Sequence, residues 1–549
     1  MTWLKKIFTS FSERERLSFV IACASAIVAG ALLVWLIFLN VTTAAPARGG
    51  DYAEGFLGQP AYANPLLAET PADKALVRLA FANLPDLADK IESDKTGKVY
   101  KVRLKENLTW SNGQKLTSDD VIFTLQKLQD PQTASPYFSN WQGVAVSRVS
   151  ELEVQFTLAA PYAFFSQSLQ NFYVVPKHLF ADTPASNWKL SDYNLKPVGS
   201  GPYSFYSYEK RDDGFISLYR LKANENYAGG APYIENFDLR FFTKPEDVVK
   251  AFNAGQIDAI ADLDPETLKS IHRTYNLSEF LLPNYYAVFW NQSQNPALED
   301  SSVRQALSLS INRSELMRDA LYGYGRESLG PVPKDIPGLI ISYASQENDP
   351  NQASNTLESA GWKMADQGFR SKEIKGGSID LKFKLTVPNI PFLVSTAKTL
   401  AAEWSKIGAA VELNILPPDE IISGQIKNRN YEAVLFGNLL GSNGDPYAFW
   451  HSSEKYYPGL NLALYGDKPA DKLLESIRQN PDSASRATQF QDLSDKITGA
   501  FPAVFLYSPS YLFVSSRDLN GVTGGFLGEN ADRLRAAKDW YVKVARVFK

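Results

Sequence analysis

Cysteine and histidine are nearly absent from this chain of 549 residues. A single cysteine, Cys23, excludes an intramolecular disulfide, and a chain of this length has a core large enough not to need one. The three histidines, His178, His272 and His451, lie far apart in the sequence. No spacing of His, Cys or Glu is typical of a ligand set, so we predict no metal site and no cofactor.

Common catalytic and nucleotide-binding signatures are also missing. The chain has no G-x-S-x-G, H-E-x-x-H or G-x-x-x-x-G-K-[ST] motif. Asp258, Asp262 and Asp264 could supply an acid–base pair, but their position at the end of a strand, before Pro265, favours helix capping. We therefore expect a protein that is not an enzyme.

The chain also lacks an excess of positive charge. The formal net charge is −4, whereas a nucleic-acid partner normally requires a basic footprint. Hydrophobic residues make up 44% of the chain and charged residues 21%, which is ordinary globular usage. The length favours two or three lobes, and some of the aromatic residues could line a broad apolar cleft.

Residues 17–39 carry no charge and, as a helix, would span about 35 Å, enough to cross a bilayer. Lys5, Lys6, Arg14 and Arg16 precede this run, and Arg48 is the nearest cation after it. The positive-inside rule then places residues 1–16 in the cytoplasm and the bulk of the chain outside, in a periplasm or at the cell surface. We therefore expect a single-pass protein of the cell membrane.

Three interpretations of this segment stay open. An uncleaved signal anchor is favoured because the apolar run is longer than the hydrophobic region of a signal peptide. Cleavage near Ala45 and Ala47 is the second, and a lipoprotein modified at Cys23 is the third. Residues 40–50 are small and unpatterned, with Pro and Gly, so we predict a tether there.

Local patterns farther along predict two α/β units. Residues 99–104 alternate as a strand, and Thr117 with Asp120 forms a capping-box-like helix start. The first unit has strands at 237–242 and 257–261 around a helix at 245–253. The second unit runs through the following segments: strand 379–387, helix 391–407, strand 411–416, helix 418–427 and strand 431–436. This alternation predicts mainly parallel sheets, with ligands beyond the strands' carboxyl ends, as at 437–450.

Short motifs follow one another in a fixed order over roughly residues 50–545. They are WSNGQKLTSDDV at 110–121, VPKHL at 175–179, PVGSGPY at 197–203, NENY at 224–227, GGAPYI at 229–234, GQID at 255–258, VRQAL at 303–307 and DP at 445–446. Each motif alone is weak, but their common order is specific. The chain resembles the family 5 extracytoplasmic solute-binding proteins, which take up oligopeptides, dipeptides or nickel through ABC importers.

The resemblance implies an α/β, two-lobe fold of the periplasmic-binding-protein kind (type II, cluster C-like) with an extra subdomain, here preceded by one transmembrane helix at 17–39. The implied division is lobe I at 51–83, 176–282 and 507–549, the extra subdomain at 84–175, and lobe II at 283–506. Hinged closure over the ligand would be followed by docking on permease subunits that work with a separate ATPase. The expected protein is a monomer.

The resemblance also implies candidate binding residues, with one departure from the family pattern. In the peptide-binding branch, an aspartate three positions before the DP pair holds the ligand's α-amine, and an aromatic residue lies just upstream. Ser442 and Leu439 stand at these positions here. A serine hydroxyl cannot replace the charge, so either Asp445 or a lobe I carboxylate such as Glu69 supplies it, or the ligand has no free amine.

The candidate ligand-binding residues are Glu69, Thr70, Pro71, Asn438, Leu440, Ser442 and Asp445. Asp445 before Pro446 is also typical of a turn cap, and Glu69 of a solvated surface charge. Peptides are the favoured ligand. The alternatives are a non-peptide solute, such as a sugar or a metal chelate, and a surface or chaperone-like protein that uses the same fold without transport.

Overall fold

The structure, a computed structural model, describes residues 10–344 and 348–549. Lys5 and Lys6, which helped to orient the predicted membrane helix, lie outside the described residues. The α-helices are, in chain order, α1 Glu13–Val41, α2 Pro71–Ala80, α3 Leu84–Leu87, α4 Ser118–Leu128, α5 Phe138–Trp141, α6 Phe165–Leu169, α7 Lys177–Phe180, α8 Pro245–Asn253, α9 Pro296–Glu299, α10 Ser301–Leu309, α11 Arg313–Leu321, α12 Pro350–Ser359, α13 Pro391–Lys406, α14 Pro418–Glu420, α15 Tyr447–Trp450, α16 Lys468–Gln479 and α17 Ser483–Ala500.

The strands are, in chain order, β1 Thr42–Ala47, β2 Asp51–Leu57, β3 Ala88–Ser93, β4 Val99–Leu104, β5 Val144–Ser150, β6 Glu153–Leu158, β7 Tyr203–Lys210, β8 Ile216–Ala223, β9 Asn236–Phe242, β10 Ala259–Ala261, β11 Tyr275–Leu281, β12 Asn284–Trp290, β13 Gly325–Glu327, β14 Lys363–Met364, β15 Arg370–Ile374, β16 Gly377–Asp380, β17 Lys382–Pro388, β18 Ala410–Leu416, β19 Ala433–Leu439, β20 Ala503–Pro509, β21 Tyr511–Ser516, β22 Gly525–Phe526 and β23 Lys543–Phe548. Short 3₁₀ turns and one π-helical turn, Ile421–Ile426, connect them.

Two large sheets organise the chain, and neither is mainly parallel as the sequence predicted. The 8-stranded sheet has the order β22-β11-β21-β10-β2-β9-β8-β7, and the 6-stranded sheet has the order β13-β20-β12-β19-β17-β18. The predicted α/β units do form the parallel parts, β10-β2-β9 and β19-β17-β18. The hairpin β7–β8 and the strands that pass between the sheets pair antiparallel, which makes both sheets mixed.

Two antiparallel strand pairs connect the large sheets. β11 pairs with β21 in the 8-stranded sheet, and their continuations, β12 and β20, pair in the 6-stranded sheet. The breaks fall at Leu282-Pro283 and at Ser510, and a proline has no N–H for a sheet ladder. Residues 507–509 thus belong to the 6-stranded sheet, although the sequence placed them in lobe I, because β20 continues to Pro509. The two breaks are the points at which the chain passes from one large sheet to the other.

A smaller sheet of order β3-β4-β6-β5 covers much of the predicted extra subdomain. Thr117 and Asp120 form the expected capping box at the start of α4, and β4 has the predicted bounds. The loop that follows β6 carries Phe164 into the core of the 6-stranded sheet. The backbone N–H of Ala163 donates to the carbonyl of Arg478 at 2.7 Å, so this loop connects the smaller sheet to helix α16.

The N-terminal helix α1 covers the predicted apolar run and is long and apolar enough to cross a membrane. The prediction that residues 40–50 form an unpatterned tether is wrong, because residues 42–47 form the strand β1. This strand pairs antiparallel with β23, near the far end of the chain. Such pairing depends on a distant partner, so the local composition of 40–50 could not indicate it.

Candidate ligand-binding cleft

The carboxyl end of β19 and the loop behind it face the segment after β22. A Cβ built on Gly528 would lie 2.7 Å from the Ser442 Cβ and 2.9 Å from the Asp532 Oδ2. Ser442, on the 6-stranded sheet side, therefore touches backbone from the 8-stranded sheet side. The two lobes meet here beyond the end of a parallel strand, where open α/β sheets place ligands.

Asn438 and Leu440 are buried beside this contact and hold the end of β19 in place. The Asn438 amide donates to the Tyr285 hydroxyl at 2.8 Å, and that hydroxyl also accepts from Trp450 Nε1 at 3.1 Å. The Leu440 N–H donates to the carbonyl of Pro283 at 2.9 Å. Asn438 thus fixes β19 against the core, and Leu440 ties it to the break between β11 and β12 at Pro283.

Asp445 has its charge compensated within the protein. Its side chain is 7% exposed and pairs with Arg478 Nε at 2.7 Å. It also accepts from the Tyr447 N–H at 3.0 Å and from the Tyr162 hydroxyl at 3.5 Å. Burial and the nearby Asp445 charge raise the pKa of Tyr162, which keeps this hydroxyl a neutral donor. Asp445 is therefore a turn cap and an ion-pair partner, with little capacity left for a ligand amine.

Glu69, Thr70 and Pro71 start helix α2 and are exposed. The Thr70 hydroxyl accepts from the Asp73 N–H at 3.1 Å, and the Asp73 carboxylate accepts from the Thr70 N–H at 3.1 Å. The same carboxylate accepts from the N–H of Ala61 at 2.7 Å. This arrangement is a capping box, and it explains Thr70 and Pro71 without a ligand.

Asp262 is a carboxylate in the cleft that the sequence assigned to helix capping. Its neighbour Asp264 is the cap, accepting from the Glu266 N–H at 3.0 Å. Asp262 follows β10 with φ of 60°, a left-handed conformation that is uncommon outside glycine. Such conformations cluster at functional sites. The Asp262 side chain opens to solvent and accepts from the Asn530 amide at 3.2 Å.

The charge of Asp262 raises the pKa of a tyrosine on each large sheet, Tyr286 on the 6-stranded sheet and Tyr511 on the 8-stranded sheet. Surrounding protein raises the pKa of Asp262, while the Asn530 hydrogen bond and the Arg533 charge act in the opposite direction. Burial raises the pKa of Tyr286, and the charge of Asp262 adds to that rise. Tyr286 lies on β12 of the 6-stranded sheet and packs edge-on against Phe392, with ring centroids 5.2 Å apart. Tyr286 and Phe392 thus form an aromatic pair on the 6-stranded sheet side, and the charge of Asp262 contributes to the raised pKa of Tyr286.

An ion-pair cluster fixes the wall that carries Gly528 and Asn530. Glu529 pairs with Lys74 at 2.8 Å and also with Arg78. Asp532 pairs with Arg78 at 2.9 Å and with Arg535 at 3.0 Å. These contacts hold residues 529–535 against α2, so the position of this segment is well defined.

Across residues 10–344 and 348–549, no group of three His, Cys, Asp or Glu side chains could hold a metal ion. The groups near the Ser442–Gly528 contact are the exposed Asp262 carboxylate, the aromatic ring of Tyr286 and the hydroxyl and backbone groups of Ser442. Such a site can bind an extended, partly apolar ligand that carries a cationic group.

The chain is similar to several known proteins over most of its length. The oligopeptide-binding protein AppA of Bacillus subtilis is 25% identical over 500 residues, covering 87% of this chain and 89% of AppA. The structure of AppA in complex with a nonapeptide has a TM-score of 0.68 and 24% identity, covering 91% of this chain and 100% of that one.

Two further solved structures share the fold. The substrate-binding protein CtaP of Listeria monocytogenes has a TM-score of 0.78 at 22% identity, covering 90% of this chain and 100% of that one. NikZ of Campylobacter jejuni, in complex with Ni(L-His), has a TM-score of 0.72 at 24% identity, covering 89% and 99%. The family model for bacterial extracellular solute-binding proteins, family 5 Middle, matches residues 84–458. The chain belongs to this family of solute-binding proteins.

Proposed function

We propose that the protein is a membrane-anchored, extracytoplasmic binding protein that captures peptides in the interlobe cleft and delivers them to an ABC importer. The single observation that carries the peptide proposal is Asp262, a solvent-exposed carboxylate with a left-handed backbone that accepts from Asn530, two residues from the Ser442–Gly528 contact. It can pair with the α-amine of a peptide, the role that the serine at 442 cannot fill. AppA, whose structure was solved with a nonapeptide, supports the same ligand class.

Within this proposal, the 8-stranded sheet belongs to lobe I, the 6-stranded sheet to lobe II, and β3–β6 to the extra subdomain. Closure about the breaks at Pro283 and Ser510 brings Ser442 onto Gly528 and encloses the ligand. Helix α1 anchors the chain, and permease subunits with a separate ATPase receive the ligand. The protein itself acts as a monomer and catalyses no reaction.

A non-peptide solute is the second candidate, and Ser442 favours it because the expected amine-binding aspartate is missing there. NikZ was solved with Ni(L-His). A metal would have to enter this cleft with its own chelating ligand, since the described residues offer no three-ligand group. Asp262 would then face the cationic side of the complex.

The proposal is tested by mass spectrometry of the full-length protein purified without denaturant. We expect a ladder of peptide masses to be released on denaturation. A peptide pool supplied at 100 times its dissociation constant should add about 2.7 kcal/mol to the free energy of unfolding. A single non-peptide mass would support the second candidate. Absence of saturable binding to every peptide pool would contradict the peptide proposal.

Closure can be tested at Gly528. A valine there would clash with Ser442 when the lobes are closed, since its Cβ would lie 2.7 Å from the Ser442 Cβ, whereas its contact with Asp532 on the same segment does not depend on closure. Overpacking costs about 1–3 kcal/mol, so we expect Gly528→Val to weaken ligand binding by roughly 5- to 100-fold in isothermal titration calorimetry.

The matched control for this change is Gly499→Ala, because a Cβ at Gly499 meets no atom within 4 Å. Small-angle scattering should show that Gly528→Val stays open at ligand concentrations that close the control. Unchanged affinity in Gly528→Val would mean that Ser442 and Gly528 do not approach in the ligand-bound state.

A further inference from the structure

The membrane helix passes directly into a β-strand. Helix α1 ends at Val41, and β1 begins at Thr42. In the ribbon formed by β1 and β23, Thr42 pairs with Phe548, and Ala47 pairs with Lys543. Residues 48–50 and 540–542 then connect the two strands to the 8-stranded-sheet side, where Trp540 is buried. The ribbon is therefore attached to lobe I by two covalent segments rather than by one flexible linker.

Side chains and backbone of β23 lock the ribbon to the end of the helix. Arg546 Nη1 donates to the Thr42 hydroxyl at 2.9 Å and to the carbonyl of Leu39 at 3.5 Å. The Lys549 N–H donates to the carbonyl of Val41 at 3.0 Å. A cation beside the last carbonyls of a helix is favourable because it satisfies them and opposes the helix dipole. The ribbon thus keeps a defined position relative to α1.

The position of the ribbon follows from the length of the helix. The uncharged run 17–39 spans about 35 Å, and the hydrocarbon core of a bilayer is about 30 Å thick. Val41 then lies at the outer interface, and so does Phe548, opposite Thr42. Phe548 is 80% exposed, and Val544 and Val547 are also exposed. Large apolar side chains exposed beside a membrane helix fit the interfacial layer of that membrane.

The charge of the ribbon fits the same partner. Lys543, Arg546 and Lys549 lie in it, and neither 42–50 nor 540–549 contains an acidic side chain. Cations next to a membrane helix are attracted by anionic lipid headgroups. The ribbon therefore carries both exposed apolar side chains and cations, and helix α1 sets its distance from the bilayer.

We propose that the ribbon formed by residues 42–47 and 543–549 docks on the outer leaflet of the membrane that α1 spans. Phe548 enters the interfacial layer, and Lys543, Arg546 and Lys549 contact anionic phospholipid headgroups. This inference rests on the anchoring by α1 in the proposed function. Cleavage near Ala45 or Ala47 would remove β1 and leave β23 without its partner, so the inference also requires that the helix is retained.

The test uses the full chain with Cys23→Ala and Phe548→Cys, labelled at position 548 with an environment-sensitive fluorophore. The protein is reconstituted into vesicles of phosphatidylcholine and phosphatidylglycerol that carry headgroup spin labels. We expect several-fold stronger quenching at 548 than at a label on Val149→Cys, an exposed position in the extra subdomain. Val544→Cys provides a second ribbon position, and raising the phosphatidylglycerol fraction should increase quenching at both ribbon positions.

Equal quenching at 548, 544 and 149 would overturn the inference. The intact mass of the protein from native membranes gives an independent result, since a mature chain beginning after Ala47 would also overturn it. Peptide binding is measured on the same vesicles. Loss of peptide binding with quenching retained would count against the proposed function alone, and the reverse result would count against the ribbon alone.

Discussion

Arg533→Met should lower the free energy of unfolding by about 3–5 kcal/mol, because it leaves a carboxylate buried without its partner. The Arg533 and Glu54 side chains are 2% and 0% exposed. Arg533 Nη1 donates to Glu54 Oε2 at 3.0 Å, and its Nε donates to the Tyr511 hydroxyl at 3.0 Å. Burial alone would lower the pKa of Arg533, but the Glu54 charge raises it overall.

Urea denaturation followed by tryptophan fluorescence measures the change, in the transition that reports on lobe I. Arg148→Met is the control, because its ion pair with Asp119 is exposed and such pairs contribute at most about 1 kcal/mol. Adding Glu54→Gln to Arg533→Met should recover part of the loss, because it removes the buried charge. If Arg533→Met lowers the free energy of unfolding no more than the control does, then water or another cation stabilises the Glu54 carboxylate in the variant.

Asp262→Asn should weaken binding of peptides with a free α-amine by roughly 10- to 100-fold, since a hydrogen bond to a charged group contributes about 1.5–3 kcal/mol. N-acetylated peptides lack the ammonium and should bind the variant and the parent protein with similar affinity. Titration calorimetry with matched free and acetylated peptides measures both. Asp264→Asn is the control, because Asp264 caps a turn and asparagine caps as well as aspartate.

The pH dependence of binding provides a second measurement on Asp262. Its pKa is raised, chiefly by burial, so the carboxylate becomes protonated at a higher pH than an ordinary aspartate, for which the pKa is about 3.9. Affinity for free-amine peptides should therefore fall as the pH drops through this raised pKa. In Asp262→Asn, the affinity for free-amine peptides should no longer fall with pH in this range. If the fall persists in the variant, another titrating group causes it.

Local structure was predictable because its causes lie within a few residues. The Thr117–Asp120 capping box, the strand at 99–104 and the helix at 245–253 were each confirmed with the expected start. Capping, side-chain alternation and a proline at a first helical turn act between neighbours. The order of the short motifs was equally visible, and it was sufficient to identify the family.

Distant pairing could not be predicted in the same way. The strand at 42–47 forms because it pairs with β23. The two large sheets are mixed because β11–β12 and β20–β21, which pass from one sheet to the other, pair antiparallel. Asp445 was one of the alternatives for an amine-binding carboxylate, and its ion pair depends on Arg478 of helix α16, a residue that lies 33 positions farther along the chain.

The sequence by itself determined the family, the α/β class, the helix–strand order and the apolar N-terminal helix. Only the tertiary structure decided which partners the carboxylates have. Asp262 and Asp264 look alike in sequence, but Asp264 caps a turn, whereas the exposed Asp262 side chain accepts from the Asn530 amide. The availability of a charge depends on its neighbours in space, and in this fold those neighbours come from segments far apart in the chain.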